Sequence, residues 1–209
     1  MDRKTEEYII GVSSREDPLL EELYRQTYLR FVNPNMTSGH IQGRFLEMIS
    51  KMIEPENILE IGTFTGYSAI CLARGLKAGG KLVTIEINDE LESFSAGYFK
   101  RAGLGDSIIQ LTGKAQDLLP KLDTVFDLAF IDGDKREYCE YYRLVRKIVK
   151  KGGFIIADNV LWGGKAMEVD SRDQQTKGII EFNKMISDEN DIEKIILPVR
   201  DGIMLMRVL

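Results

Sequence analysis

The sequence predicts an open, doubly wound α/β sheet, and three observations lead there. Five short runs are apolar throughout, as parallel strands covered on both faces must be. Segments of helical period separate those runs, which is the repeat of a strand-helix-strand fold. The last two apolar runs are joined only by "RDG" and read as a terminal hairpin. In order, the first 50 residues are mostly helical in pattern, are broken by "FVNPNMTSG" (31–39), and form an N-terminal extension. The strands are "NILEIG" (57–62), "KLVTIEI" (81–87), "SIIQLT" (107–112), "FDLAFID" (126–132) and "GFIIAD" (153–158). Helices are expected over 67–76, 89–102, 115–119 and 137–149, and "IEKIILPV" (192–199) with "GIMLMRVL" (202–209) closes the chain.

With no repeat, low-complexity tract or linker, the 209 residues form one domain, residues 1–209, with 1–50 as a helical extension. Hydrophobic content of 44% and charged content of 29% are those of a soluble globular protein, and a net charge of -5 argues against a general polyanion binder. No stretch approaches a membrane span or a signal-peptide core, so no membrane partner is expected. Cys71 and Cys139 lie in helix-like segments without CxxC spacing, which points to two buried thiols and a cytoplasmic location. "NMT" (35–37) is then a glycosylation sequon by pattern alone.

In a doubly wound sheet, ligands bind at the carboxyl ends of the strands. The first strand runs into "LEIGTFTGYS", where Gly62 and Gly66 let the backbone turn tightly and approach a ligand before a helix starting near Tyr67. The second ends in Glu86, a carboxylate placed to accept hydrogen bonds from ribose hydroxyls. Together they point to a cofactor containing adenosine, although the glycine spacing is not the GxGxxG of dinucleotide folds. The fourth strand ends in "IDGDK" and the fifth in "ADN". Neighbouring strands would bring Asp132, Asp158 and Asn159 together as hard oxygen donors for Mg2+, Mn2+ or Ca2+, with no His or Cys cluster for zinc.

Three patterns fail on inspection. "GLKAGGKL" (75–82) has phosphate-loop spacing, but Leu82 replaces the required hydroxyl and the segment leads into a strand. "DGDK" follows a strand as in haloacid-dehalogenase-like phosphatases, but Arg136 stands at the position of their Thr or Val. The same stretch lacks the later glycine and glutamate of an EF-hand. In "DKRE", Asp134 is an expected N-cap with Glu137 three residues on, a start like a capping box.

Taken together, "LEIGTFTGYS", "IEI", "FIDGDK", "ADNVLWGG" and "LPVRDGI" resemble, in order from about residue 36 to the end, the cation-dependent O-methyltransferases that include the caffeoyl-coenzyme A and catechol O-methyltransferases. The resemblance is to a bacterial-type member and implies the Rossmann-like fold of class I S-adenosylmethionine-dependent methyltransferases. It implies a seven-stranded, mostly parallel sheet with the last strand antiparallel, S-adenosylmethionine as cofactor, and a homodimer. Metal ligands carry over to Asp132, Asp158 and Asn159. Cofactor contacts carry over to Met36, Glu60, Gly62, Tyr67, Ser68, Glu86 and Ala115, with Asp132 near the cofactor's amino group. Lys135 matches the catalytic lysine of the catechol enzymes, and Trp162 an aromatic lining the acceptor pocket of the plant enzymes. Arg44 and Arg200 depart from the residues common in the family; each lies either near the cofactor mouth or toward solvent, and solvent is the favoured reading. Gly133 replaces a larger residue that contacts adenine in some relatives.

The expected activity is metal-dependent methyl transfer to a hydroxyl of a catechol-like small molecule. A divalent ion would stabilise the ionised oxygen, and Lys135, with a depressed pKa beside the metal, would take its proton. Two alternatives stand beside it: the same chemistry on 5-hydroxyuridine at the wobble position of tRNA, and a nucleoside-binding protein without catalysis. The acidic net charge leans away from RNA, and the intact set Asp132, Lys135, Asp158 and Asn159 leans toward catalysis. "KAMEVDSRDQQTKG" (165–178) mixes charges of both signs and is expected to form a polar lid or rim.

Overall fold

A computed structural model describes residues 3–168 and 171–209. Among them, β1 (Asn57–Ile61), β2 (Lys81–Glu86), β3 (Ile108–Thr112), β4 (Phe126–Ile131), β5 (Val149–Ala157), β6 (Ile192–Leu197) and β7 (Ile203–Val208) form one seven-stranded sheet ordered β3-β2-β1-β4-β5-β7-β6. The first five strands are parallel, and β7 runs antiparallel between β5 and β6. Strand order reverses between β1 and β4, which is where such sheets open a crevice.

The parallel strands are apolar throughout because both faces are covered. Leu59 and Ile61 of β1 join Val83, Ile85, Ala129 and Ile131 in the core on one face, under α7 (Tyr138–Ile148) and α8 (Gln174–Asp188). Ile58 joins Leu82, Leu128 and Phe130 on the other, under α2 (Pro18–Arg30), α3 (Gly39–Ile53), α4 (Tyr67–Ala73) and α5 (Glu92–Arg101). Burying each of the larger of these side chains contributes about 1.5–3 kcal/mol of gross stabilisation.

The N-terminal extension begins with α1 (Arg3–Val12) and continues through α2 and α3. Asp17 starts α2, its side chain accepting from Leu19 N at 2.7 Å, with Pro18 at the first helical position. In sequence, Leu19, Leu20, Leu23, Tyr24, Tyr28 and Phe31 approximate an apolar helical stripe over α2 and its exit, able to face either a second copy or this chain's own sheet. Leu20 and Leu23 turn it into this chain's own core, and Tyr28 stays exposed.

One helix was hidden in the sequence. The expected polar lid takes in the end of a 3-10 segment (Trp162–Met167) and then the start of α8, where Asp173 caps the helix by accepting from Thr176 N at 3.0 Å. Thr176, Ile179, Phe182 and Ile186 are its buried face. Val169 and Asp170, part of that expected lid, lie outside the described residues. Cys71 and Cys139 are both unpaired; Cys71 is buried, as expected, but Cys139 is only half-buried. No helix among the described residues is long and apolar enough to cross a membrane.

Register determines where the polar residues go. Ile61 pairs with Ile131, and Ile131 with Ala157, so the residues that follow β4 and β5 leave the sheet side by side. Asp132 N donates to Ile61 O at 2.8 Å and Asp158 N to Ile131 O at 3.0 Å, which holds both aspartates at one edge of the crevice.

Candidate active site

The crevice is a cavity of about 580 Å³ at the carboxyl ends of the parallel strands. One end is built by the turn after β1. Gly62 has φ +103, and a Cβ there would lie 2.3 Å from the backbone oxygen of Asp132. Gly66 has φ +90, and its Cβ would meet the Phe99 ring at 2.5 Å. Neither position admits a side chain: the Gly62 backbone forms this wall, and Gly66 packs the turn against Phe99 behind it. Glu86 locks the turn: its Oε2 accepts from Phe64 N at 2.7 Å and its Oε1 from Asn88 N at 3.0 Å. Each oxygen keeps a lone pair for a further donor. Tyr67, Ser68 and Ala115 also line this end, and Met36 lies 59% exposed on a 3-10 turn (Pro34–Met36) at the rim.

Glu60 is the exception. It alternates with Leu59 and Ile61, so it points to the face that Ile58 covers, and it does not line the cavity. Thr84 Oγ1 donates to its Oε2 at 2.5 Å, while Oε1 is buried without a hydrogen-bond partner among the described residues. Burial pushes its carboxyl up to about 8.

The other end holds the polar group from β4 and β5. Asp132, Lys135, Asp158, Asn159 and Trp162 all line it. Lys135 is 6% exposed, and its Nζ donates to Asp132 Oδ1 and to the Tyr138 hydroxyl, each at 2.7 Å. The Lys135 ammonium also sits 4.8 Å from the Tyr138 ring centroid. Tyr138 lies within hydrogen-bond reach of Ile131 O and Asp158 O, and burial raises its phenol well above the ordinary value, so it serves as a neutral donor. Asp158 is 3% exposed; burial first, and the neighbouring Asp132 next, push its carboxyl up to about 6. Asn159 has a left-handed backbone, φ 58.

The start after "IDGDK" differs from a capping box. Asp134 caps a 3-10 turn (Lys135–Glu137) by accepting from Arg136 N at 3.0 Å, while Glu137 accepts from Gln116 Nε2 instead of reaching back. The Arg136 guanidinium holds Asp134 below the usual carboxylate range. Gly133 lies against the ring of Tyr141, which a Cβ would approach to 2.8 Å, and Tyr141 lines the cavity.

Arg200 corrects an expectation. The residue is exposed, yet it lines the cavity, and its Nη1 donates to Thr37 O at 3.0 Å, to Ser38 O, and to Gln42 Oε1 at 3.0 Å. Arg44 lies away from the cavity and is itself only partly exposed, donating to Glu47 Oε2 at 3.2 Å and to Arg15 O at 3.0 Å. Tyr138, Gln42 and Gly178 were missed by sequence reasoning. Gly178 lets α8 close on the lysine turn, since a Cβ there would lie 2.3 Å from Lys135 O. Tyr138 is three residues after Lys135, one helical turn on, a spacing that carried the signal; nothing local marks Gln42.

Known proteins share this arrangement of chain. The sequence model of the O-methyltransferase family matches residues 10–209. A catechol O-methyltransferase from Niastella koreensis is 36% identical over 170 residues, covering 79% of this chain and 74% of its own. The caffeoyl-CoA O-methyltransferase of Eucalyptus gunnii is 33% identical, covering 96% of this chain and 86% of its own. Among solved structures, the O-methyltransferase TomG from Streptomyces achromogenes, in complex with SAM, superposes with a TM-score of 0.90 at 31% identity, covering 98% and 96% of the two chains. An O-methyltransferase from Bacillus cereus in complex with SAH gives 0.89 at 31% identity, covering 99% and 97%. With a family match that takes in the whole sheet and every residue of the cavity, this chain belongs to the O-methyltransferase family.

Proposed function

We propose that the protein transfers a methyl group from S-adenosylmethionine to a hydroxyl of a catechol-like small molecule, aided by a divalent cation. One observation carries this reading: the glycine turn with Glu86 and the group Asp132, Lys135, Asp158 and Asn159 open into the same cavity. A nucleoside held at one end and a hydroxyl held at the other would therefore meet inside it, and such positioning supplies much of the rate in a displacement at a methyl carbon. The SAM and SAH complexes of the two structural relatives support the cofactor.

The donor set fits a hard cation. Two carboxylates, Asp132 and Asp158, approach closely enough for the charge of one to raise the other, and the amide oxygen of Asn159 is of the same hard type. No group of three or more His, Cys, Asp and Glu side chains is assembled among the described residues, so Asn159, water and the acceptor's own oxygens would complete the coordination. Bound there, a divalent cation would favour the ionised form of the acceptor hydroxyl and orient it. Lys135 Nζ, held between Asp132 and Tyr138, would be the group that takes the hydroxyl proton. Trp162 would supply an apolar wall against the acceptor ring.

Among the lining residues, Lys114, Lys135 and Arg200 stand against Glu86, Asp132, Asp134 and Asp158, so the cavity offers no cationic surplus for a nucleic-acid backbone. That balance favours a small acceptor over tRNA. We further propose a cytoplasmic homodimer; the unpaired cysteines support the compartment, and the family resemblance supports the dimer.

Labelled S-adenosylmethionine and Mg2+ should be incubated with the protein, with catechols in one tube and undermethylated tRNA in another. Label in the catechol is expected. Label in tRNA alone would overturn the acceptor, and transfer that persists undiminished in EDTA would remove the cation.

A further inference from the structure

We propose that Gln42 is a positioning residue for Asp158, and that Arg200 sets the orientation of its amide. The inference rests on the reading of Asp158 as a cation ligand. Gln42 lies in α3, is 1% exposed, and does not line the cavity, so it acts only through its neighbours. Its Nε2 donates to Asp158 Oδ2 at 2.6 Å, while Asn159 N donates to Asp158 Oδ1 at 2.7 Å. One donor on each oxygen fixes the plane of the carboxylate and leaves the second lone pair of each oxygen for the cavity. A carboxylate attached to the end of a strand is otherwise free to rotate about its last bond, which is broad and roughly two-fold.

The amide of Gln42 must itself be kept from flipping. Arg200 has donors and no acceptor, so its contact with Gln42 at 3.0 Å can be made only to Oε1, and the NH2 group is thereby turned toward Asp158. A flipped amide would set its oxygen against the carboxylate and its NH2 against the guanidinium, two repulsive contacts. The same guanidinium nitrogen also holds the carbonyls of Thr37 and Ser38, which lead into α3. Arg200 makes these contacts from a strained left-handed backbone, φ 49, in the turn between β6 and β7. That turn also braces the segment following Asp158: Val160 N donates to Gly202 O at 3.0 Å and Leu161 N to Asp201 O at 2.9 Å. The N-terminal extension and the C-terminal hairpin therefore meet on a single carboxylate.

The test compares Mn2+ affinity, read by the electron-spin signal of free Mn2+, with affinity for S-adenosylhomocysteine. Gln42→Met, of similar volume, should weaken Mn2+ binding by about 10–100-fold, the range for groups that orient metal ligands, and leave the nucleoside affinity and the unfolding midpoint near those of the wild type. Arg200→Gln, on an exposed turn, should weaken Mn2+ binding by less, and should add nothing in the Gln42→Met background, because it acts through the same amide. Should Gln42→Met fail to fold, Arg200→Gln carries the test alone, and unchanged Mn2+ affinity there overturns the proposal. Wild-type Mn2+ affinity in a folded Gln42→Met protein would also overturn it while leaving the cation reading in place. An equal loss of both ligands would do so too, since it marks a packing role. Absence of Mn2+ binding in the wild type would remove the cation reading and this inference with it.

Discussion

Asp158 and Glu60 are both buried carboxyls at the top of the sheet, and they separate two kinds of work. Asp158 faces the cavity at the end away from Glu86, so Asp158→Ala should abolish turnover while calorimetry shows S-adenosylhomocysteine affinity within a few-fold of the wild type. A variant that keeps more than about a tenth of the activity would take Asp158 out of the chemistry. Glu60 instead lies behind the turn with one oxygen unpartnered, and burial holds its carboxyl at about 8 against an ordinary 4.5. The folded protein thus binds this proton more tightly than the unfolded chain does. The stabilisation is complete below about 4.5 and is lost as pH rises through about 8. Glu60→Gln keeps the shape and cannot ionise, so it should raise stability in denaturant titrations at pH 9 by roughly a few kcal/mol and leave stability at pH 4 nearly unchanged. Equal stabilities at pH 9 would mean that the carboxylate is solvated or paired in the folded state.

At the scale of elements, turns do more than helices to shape the cavity. The β1 turn crosses the start of the β4 loop so closely that Gly62→Ala would put a methyl group into the Asp132 carbonyl from a left-handed backbone. Strain and overpacking together should cost about 2–5 kcal/mol, visible as a lower unfolding midpoint, and should weaken nucleoside binding in parallel. An unchanged midpoint would show that the turn can relax away from β4. These turns were legible in the sequence because glycine and strand-end carboxylates leave a local mark. Helix α8 was not recognised, although Thr176, Ile179, Phe182 and Ile186 repeat at helical spacing, because the charged stretch before them reads as loop. The stripe on α2 was legible as a stripe, but periodicity does not say what it covers; Leu20 and Leu23 turn out to cover this chain's own core.

For the whole molecule, the proposed homodimer rests on the family resemblance, because the α2 stripe is turned inward, and the exposed Tyr28, Leu29 and Val32 are what α2 and its exit leave for a partner. Light scattering at micromolar concentration should give twice the 23.8 kDa chain mass, and a monomer mass would remove the dimer. By itself the sequence determined the strand-helix alternation, the strand ends that carry Glu86, Asp132, Asp158 and Asn159, and the glycines of the turn. All of these depend on neighbours within a few residues, where side-chain period and backbone freedom act directly. Only the tertiary structure decided that Glu60 faces away from the cavity, that Arg200 reaches over it, and that Gln42 meets Asp158 from 116 residues away. Those contacts follow from how α3, β5 and the terminal hairpin dock, and the free energy of docking is spread over two apolar cores in which none of the three polar residues takes part.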